Sequence, residues 1–270
     1  MIDPVVGIDW VRAHPDGLVL ADVRAYLDGR SGREAYHRGH LPGAIFVDLD
    51  QDLAAPPTAA DGRHPLPDPA VFAGRMAGLG VGAGDTVVAY DDAGGVMAAR
   101  LVWMLRSLGH DAALLDGGLT AYDGDLETGV PERVAAHFPV RPWPADRLAT
   151  LPDATSGSFV VLDARQPERF RGETEPIDPR AGHIPGARNV SCRENVGPDG
   201  RFLPPDRLRE RFAAAGVTDG ADVVSYCGSG VTACHNLLAL EHAGFAPGRL
   251  YPGSWSQYSN TDHPAATGAR

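Results

Sequence analysis

Cys227 stands in Val223-Val224-Ser225-Tyr226-Cys227-Gly228-Ser229-Gly230-Val231-Thr232-Ala233, where an apolar run ends at a thiol, turns through two glycines and enters an amphipathic stretch. That order puts a nucleophile at a strand end, inside a ring of backbone N–H groups and beneath a helix N-terminus. Backbone amides and the helix dipole both stabilise negative charge, so the expected chemistry is that of a reactive thiolate. A small buried core cysteine is the plainer alternative. Two glycines beside the thiol, which let backbone approach a ligand closely, favour reactivity.

Other cysteine chemistries can be tested on the same loop. A cysteine phosphatase needs an arginine closing the loop after five intervening residues, and Ala233 occupies that place. A dithiol oxidoreductase needs a second cysteine two residues away, whereas Cys234 lies two helical turns on and is expected in the core. With Cys192 the chain has three cysteines and no C-x-x-C pair, so neither a disulfide framework nor a zinc site is indicated. No metal and no cofactor is expected.

The elements that must carry this loop are written twice. Ala21-Asp22-Val23-Arg24 recurs as Leu162-Asp163-Ala164-Arg165, and Gly39-His40-Leu41-Pro42-Gly43-Ala44 recurs as Gly182-His183-Ile184-Pro185-Gly186-Ala187. Gly84-Asp85-Thr86-Val87-Val88-Ala89-Tyr90 answers Gly220-Ala221-Asp222-Val223-Val224-Ser225-Tyr226, and Leu115 to Tyr122 answers Tyr251 to Tyr258. A spacing of about 140 residues is too long for a solenoid period, so each copy is a domain. Short β-branched runs (Leu18 to Val23, Val87 to Tyr90, Phe159 to Leu162, Val223 to Tyr226) alternate with helical stretches such as Met97 to Leu108 and Val231 to His242. That alternation predicts an α/β fold with a parallel sheet covered on both faces in each copy. Residues 1–126 form the first domain and 159–270 the second, with the Pro- and Arg-rich stretch 127–158 as linker. The first copy carries Asp91 where the second carries Cys227, so thiol chemistry belongs to the second alone.

Composition narrows the class further. At 270 residues and 43% hydrophobic content the chain has room for two real cores. A net charge of −11 argues against nucleic acid or an anionic membrane as partner. No apolar run approaches the ~20 residues that span a bilayer, and Met1-Ile2-Asp3-Pro4 lacks the basic and apolar regions of an export signal. A reducing, cytoplasmic location is expected. All 24 basic residues are arginine, which excludes lysine Schiff bases, a lysine-anchored pyridoxal and a P-loop lysine. Any side-chain cation that grips an anionic substrate is therefore arginine or protonated histidine, and arginine is the better fork for a carboxylate.

With its duplicated Gly-His-x-Pro-Gly-Ala turns, an inactive first copy and the Cys227-Gly228-Ser229-Gly230-Val231-Thr232-Ala233 loop, the chain resembles the tandem-domain rhodanese family over essentially its whole length. Within that family the loop looks like the active loop of 3-mercaptopyruvate sulfurtransferases; the small Gly228-Ser229 pair replaces the basic residues of the thiosulfate-using branch. The resemblance implies two α/β domains with Cys227 facing the cleft between them, and sulfur transfer through a Cys227 persulfide to a thiol or cyanide acceptor, with pyruvate released. A thioredoxin-like reductant is expected as a further partner. Thiosulfate use is the nearest enzymatic alternative, and a non-enzymatic persulfide carrier or docking module the other.

Expelling pyruvate as an enolate demands a proton at carbon, which expelling sulfite does not. By the same resemblance Ser229, His64 and Asp50 form a Ser-His-Asp relay that supplies it. Arg169 falls where the family grips the substrate, and Arg180 resembles its second arginine, although the segment between Arg180 and Gly182 is shorter than usual. The amides from Gly228 through Gly230 and Val231 to Thr232 are expected to cradle the persulfide. Arg165 is read as scaffold pairing with Asp163, and His40 and His183 as turn-fixing residues, because all recur in the copy without a nucleophile. Without the resemblance, His64 reads as a loop histidine before Pro65.

Overall fold

Runs such as Thr86–Tyr90 and Val223–Tyr226, apolar almost throughout rather than alternating, are what parallel strands buried on both faces require. The computed structural model describes residues 1–269 and divides them into two units. The first comprises Met1–Ala55, Leu66–Trp143 and Pro198–Phe202; the second comprises Pro56–Pro65, Pro144–Gly197 and 203–269. The stretch 127–158 is thus divided at Trp143, and the segment holding His64 belongs to the second unit although it lies within the first sequence copy.

In the first unit β1 (Val5–Val6), α1 (Ile8–Ala13), β2 (Leu18–Asp22), α2 (Gly32–Arg38), β3 (Ile45–Phe46), α3 (Leu49–Asp52), α4 (Pro69–Gly78), β4 (Thr86–Tyr90), α5 (Ala98–Ser107) and β5 (Ala112–Leu115) follow in order. The strands form a parallel sheet, β1-β5-β4-β2-β3, flanked by helices. In the second unit α6 (Leu151–Thr155), β6 (Val160–Asp163), α7 (Pro167–Phe170), β7 (Arg188–Asn189), α8 (Pro205–Ala214), β8 (Val223–Tyr226), α9 (Ala233–His242), β9 (Arg249–Leu250) and α10 (Ser254–Tyr258) give a parallel sheet β7-β6-β8-β9. The expected α/β architecture of two parallel-sheet domains is what is found.

The repeated motifs are structural devices, and each copy uses them alike. Arg24 forks onto Asp22 and donates to the Gly39 carbonyl, just as Arg165 forks onto Asp163 and donates to the Gly182 carbonyl. Both carboxylates are fully buried, and breaking such a pair by removing one partner costs about 3–5 kcal/mol. His40 bonds the Tyr36 carbonyl through Nδ1 and stacks on its ring; His183 does the same with Phe170. The Tyr90 and Tyr226 hydroxyls accept from the Leu41 and Ile184 amides, pinning each Gly-His-x-Pro turn to the central strand.

The loop after the central strand shows most plainly what this fold demands. In the first unit the Asp91 carboxylate accepts four backbone N–H bonds, from Ala93 at 2.8 Å, Gly95 at 2.7 Å, Met97 at 2.8 Å and Ala98 at 3.1 Å. A loop running from a parallel strand into a helix presents several amides to one point, and here an anion fills it. Replacing Asp91 by Ala leaves those largely buried donors unmatched. Urea unfolding of Asp91→Ala is expected to show a loss of about 3 kcal/mol or more, while Asp91→Asn, which keeps one acceptor oxygen, loses less.

Candidate active site

In the second unit the same loop holds sulfur. The Gly230 amide donates to Cys227 Sγ at 3.2 Å. Glycine is required there: its φ is +77°, and a β-carbon would stand 2.6 Å from the Pro252 carbonyl oxygen. Beneath the loop the Cys234 thiol, fully buried, reaches the Gly230 carbonyl at 3.4 Å. The outward groups of the loop are tied down by α10, whose Trp255 and Ser256 amides donate to the Cys227 and Gly228 carbonyls at 2.9 and 2.8 Å. Ser254 completes the anchor. Its hydroxyl accepts the Cys227 amide at 3.1 Å and donates to the Tyr251 carbonyl. Ser254 holds φ +51°, a left-handed conformation that costs a non-glycine residue about 1–3 kcal/mol. The corresponding residue of the first unit is Gly118, at φ +55°. The serine accepts backbone strain that the first copy avoids, and it gains a bond to the nucleophile's own amide.

Cys227 is only 2% exposed, so the nucleophile lies below the surface. Ser229, two residues on, is nearly as buried, and its hydroxyl lies 2.7 Å from His64 Nδ1. The segment carrying His64 reaches this place through a tight turn. Thr58 and Gly62 pair their backbones across it, and the Arg63 amide donates to Ser256 Oγ at 2.9 Å. A pocket of about 360 Å³ opens beside it, lined in part by Gly62, Arg63, Asp178, Ser256 and Asn260.

Charge gathers around the loop in matched pairs. Arg169, at the end of α7, donates from Nη2 to Glu175 at 2.6 Å and to Asp178 at 3.2 Å; Arg63 donates to Asp178 at 2.7 Å. Arg165 joins through Glu175 at 3.3 Å. Cys192 is the third thiol of the unit, and burial pushes it up to about 12, which leaves it protonated and inert at neutral pH. Among the described residues no cluster of His, Cys, Asp or Glu could hold a metal ion, and no helix is long and apolar enough to cross a membrane.

The rhodanese-like domain model matches this chain twice, over residues 8–125 and 145–261. The chain belongs to the rhodanese family. A relative from Pseudomonas aeruginosa named "Probable 3-mercaptopyruvate sulfurtransferase" is 45% identical, with 95% of this chain and 94% of that protein covered. A protein of Corynebacterium glutamicum named "Thiosulfate sulfurtransferase" is 33% identical over 92% of this chain and 89% of its own length. Among solved structures, SseA from Escherichia coli, described as a 3-mercaptopyruvate sulfotransferase with the rhodanese fold, aligns with a TM-score of 0.82 at 32% identity, covering 94% of this chain and 99% of that one.

Within this rhodanese pair, the structure brings Cys227, Gly228, Ser229, Gly230, Val231, Thr232, His64 and Arg169 into one unit. Thr232 is the residue from which α9 starts, and Val231 is buried just before it. Arg180 is engaged elsewhere: Nε, Nη1 and Nη2 donate to the Ser259, His263 and Tyr258 carbonyls at 2.9, 2.9 and 3.0 Å, capping the end of α10. Asp50 lies in the first unit, on α3, where its amide donates to Asp48. Sequence reasoning missed Arg63, Asp178, Glu175, Ser254 and Ser256. The repeat alignment held one usable signal, the replacement of Gly118 by Ser254 at a turn that wants glycine.

A Gly230→Ala variant loses both the left-handed turn and the clearance from Pro252. Its persulfide formation on Cys227, followed by intact mass after rapid mixing with donor, is expected to be about 100-fold slower or worse, with the circular dichroism spectrum retained. An unchanged rate would contradict the role of the Gly230 amide.

Proposed function

We propose that this protein is a sulfurtransferase that takes sulfur from 3-mercaptopyruvate, holds it as a persulfide on Cys227 and delivers it to a thiol or cyanide. The Cys227 thiolate attacks the donor's thiol sulfur. The donor's carbon–sulfur bond breaks, its electron pair passes into the enolate of pyruvate, and Cys227 carries the extra sulfur. The enolate takes a proton at carbon. An acceptor thiolate or cyanide then attacks the outer sulfur and returns Cys227 to the thiolate. Loop amides that meet the thiolate also meet the terminal persulfide, so both resting states of the enzyme find the same donors.

One observation carries the choice of donor: the 2.7 Å contact between Ser229 Oγ and His64 Nδ1, two residues past the nucleophile. A hydroxyl backed by imidazole is a proton-delivery device, and pyruvate enolate needs one where sulfite does not. Asp50 takes the part of the acidic partner that orients His64, as the family resemblance assigns it, and Arg169 grips the carboxylate. The amides of Gly228, Gly230, Val231 and Thr232 form the cradle. We place domain boundaries at 1–126 and 159–270 with 127–158 between them. A cytoplasmic setting and a thioredoxin-like reductant as acceptor fit three free cysteines in one chain.

Ser229→Ala and His64→Ala are each expected to lower kcat with 3-mercaptopyruvate by about 100-fold or more and to change thiosulfate turnover much less. Equal losses on both donors, or a wild-type preference for thiosulfate, would transfer the assignment to thiosulfate use. Negligible turnover with small acceptors beside rapid sulfuration of a protein would make the chain a carrier.

A further inference from the structure

Ser256 lies on α10, outside the Cys227 loop, and is only 5% exposed. All of its polar groups are engaged. Its amide donates to the Gly228 carbonyl at 2.8 Å, and its hydroxyl donates to the Gly253 carbonyl at 3.0 Å while accepting the Arg63 amide at 2.9 Å. Its own carbonyl accepts from Asn260 Nδ2 at 2.8 Å. Gly228 immediately precedes Ser229, and Arg63 immediately precedes His64. One serine therefore bonds the residue before each partner of the 2.7 Å contact between Ser229 and His64. The turn that carries His64 is fitted closely against the same place. Gly62 holds φ +91°, and a β-carbon on it would stand 2.6 Å from the Gly253 carbonyl oxygen and 2.8 Å from Ser256 Oγ. Gln257, the next residue of α10, donates from Nε2 to the Ala60 carbonyl of that turn.

The first copy shows which of these bonds is the addition. Thr120 occupies the place of Ser256, and its hydroxyl donates to the Gly117 carbonyl at 2.8 Å just as the Ser256 hydroxyl donates to Gly253. That bond belongs to the turn itself. Among the described residues the Thr120 hydroxyl accepts no backbone amide, so the bond from Arg63 is found only in the copy that carries the nucleophile. We propose that Ser256 is a positioning residue for proton delivery, yoking the turn that bears His64 to the Cys227 loop so that imidazole and Ser229 hydroxyl meet at bonding distance. The proposal rests on the sulfurtransferase reading of the loop and names what holds its proton-delivery pair in register. Such a contact tolerates little drift, since a misplacement of about 1 Å costs on the order of 100-fold in rate. Two bonds to one serine, one through its backbone and one through its side chain, fix both ends against a single reference. They are also separable. Removing the hydroxyl frees the Arg63 amide and leaves the Ser256 amide on Gly228, so the nucleophile's loop keeps its anchor.

Two readouts test this. In steady state, Ser256→Ala is expected to lower kcat with 3-mercaptopyruvate about 10- to 100-fold at nearly constant KM, while thiosulfate turnover and the alkylation of Cys227 by iodoacetamide stay close to wild type. Ser256→Thr keeps the hydroxyl, as the first copy does at Thr120, and recovers most of the loss. Gly62→Ala pushes the turn away with the Ser256 hydroxyl intact and is expected to show the same donor-selective loss. Independently of turnover, hydrogen exchange of the Arg63 amide, followed by NMR, is expected to quicken about 5- to 10-fold in Ser256→Ala, the loss of one hydrogen bond. An equal loss on both donors in Ser256→Ala would overturn the proposal, because it would mark a support of the whole loop. Wild-type turnover of 3-mercaptopyruvate, or an Arg63 amide that exchanges no faster, would overturn it too. If Ser229→Ala and His64→Ala lose both donors equally, the proton-delivery reading falls instead, and the exchange rate still reports whether Ser256 holds the turn.

Discussion

A loop of backbone amides that closes the end of a central parallel strand must have something negative, or at least electron-rich, to bond. This fold answers the demand in two ways. One unit fills the loop with a carboxylate, Asp91, bound by four amides; the other fills it with the sulfur of Cys227, met by Gly230. The first solution is closed, since a carboxylate bonded so fully has no reason to react. The second is chemically open, because sulfur can accept and release another sulfur without leaving its donors. Duplication followed by divergence at one position separates a structural unit from a reactive one.

What surrounds Cys227 serves to keep that loop in place. Trp255 and Ser256 hold its carbonyls, Ser254 holds the Cys227 amide through a strained left-handed turn, and Cys234 supports Gly230 from below. A cysteine only 2% exposed is a poor nucleophile for chance encounters and a good one for a ligand steered onto it. The Ser229–His64 contact lies two residues past that sulfur, and on the proposed reading it delivers the proton that quenches the leaving group.

Much of this was legible in the sequence where local rules act. The strands Val87 to Tyr90 and Val223 to Tyr226 needed no tertiary information, nor did the duplicated turns. Helix α9 begins at Ala233 rather than Val231 because the residues before it belong to the loop. Two-residue strands such as β1, β3, β7 and β9 are too short to show any period. The partnership of Arg63 with Asp178 spans 115 positions and could not be read. The setting of Arg180 was hidden for another reason: its acceptors are backbone carbonyls, which every residue carries and no sequence marks. His64 was located by resemblance, and its contact with Ser229 depends on the turn from Thr58 to Gly62 that only coordinates reveal.

The central claim is that one set of amides receives the sulfur of Cys227 both before and after it gains a second atom. Amide NMR of nitrogen-15-labelled protein during titration with 3-mercaptopyruvate tests this most directly. The Gly230 amide resonance should shift as intact mass reports one added sulfur, and return when an acceptor thiol removes it. Persulfide formation on Cys227 with the Gly230 resonance unmoved, or sulfur appearing on Cys192 or Cys234 instead, would contradict the account.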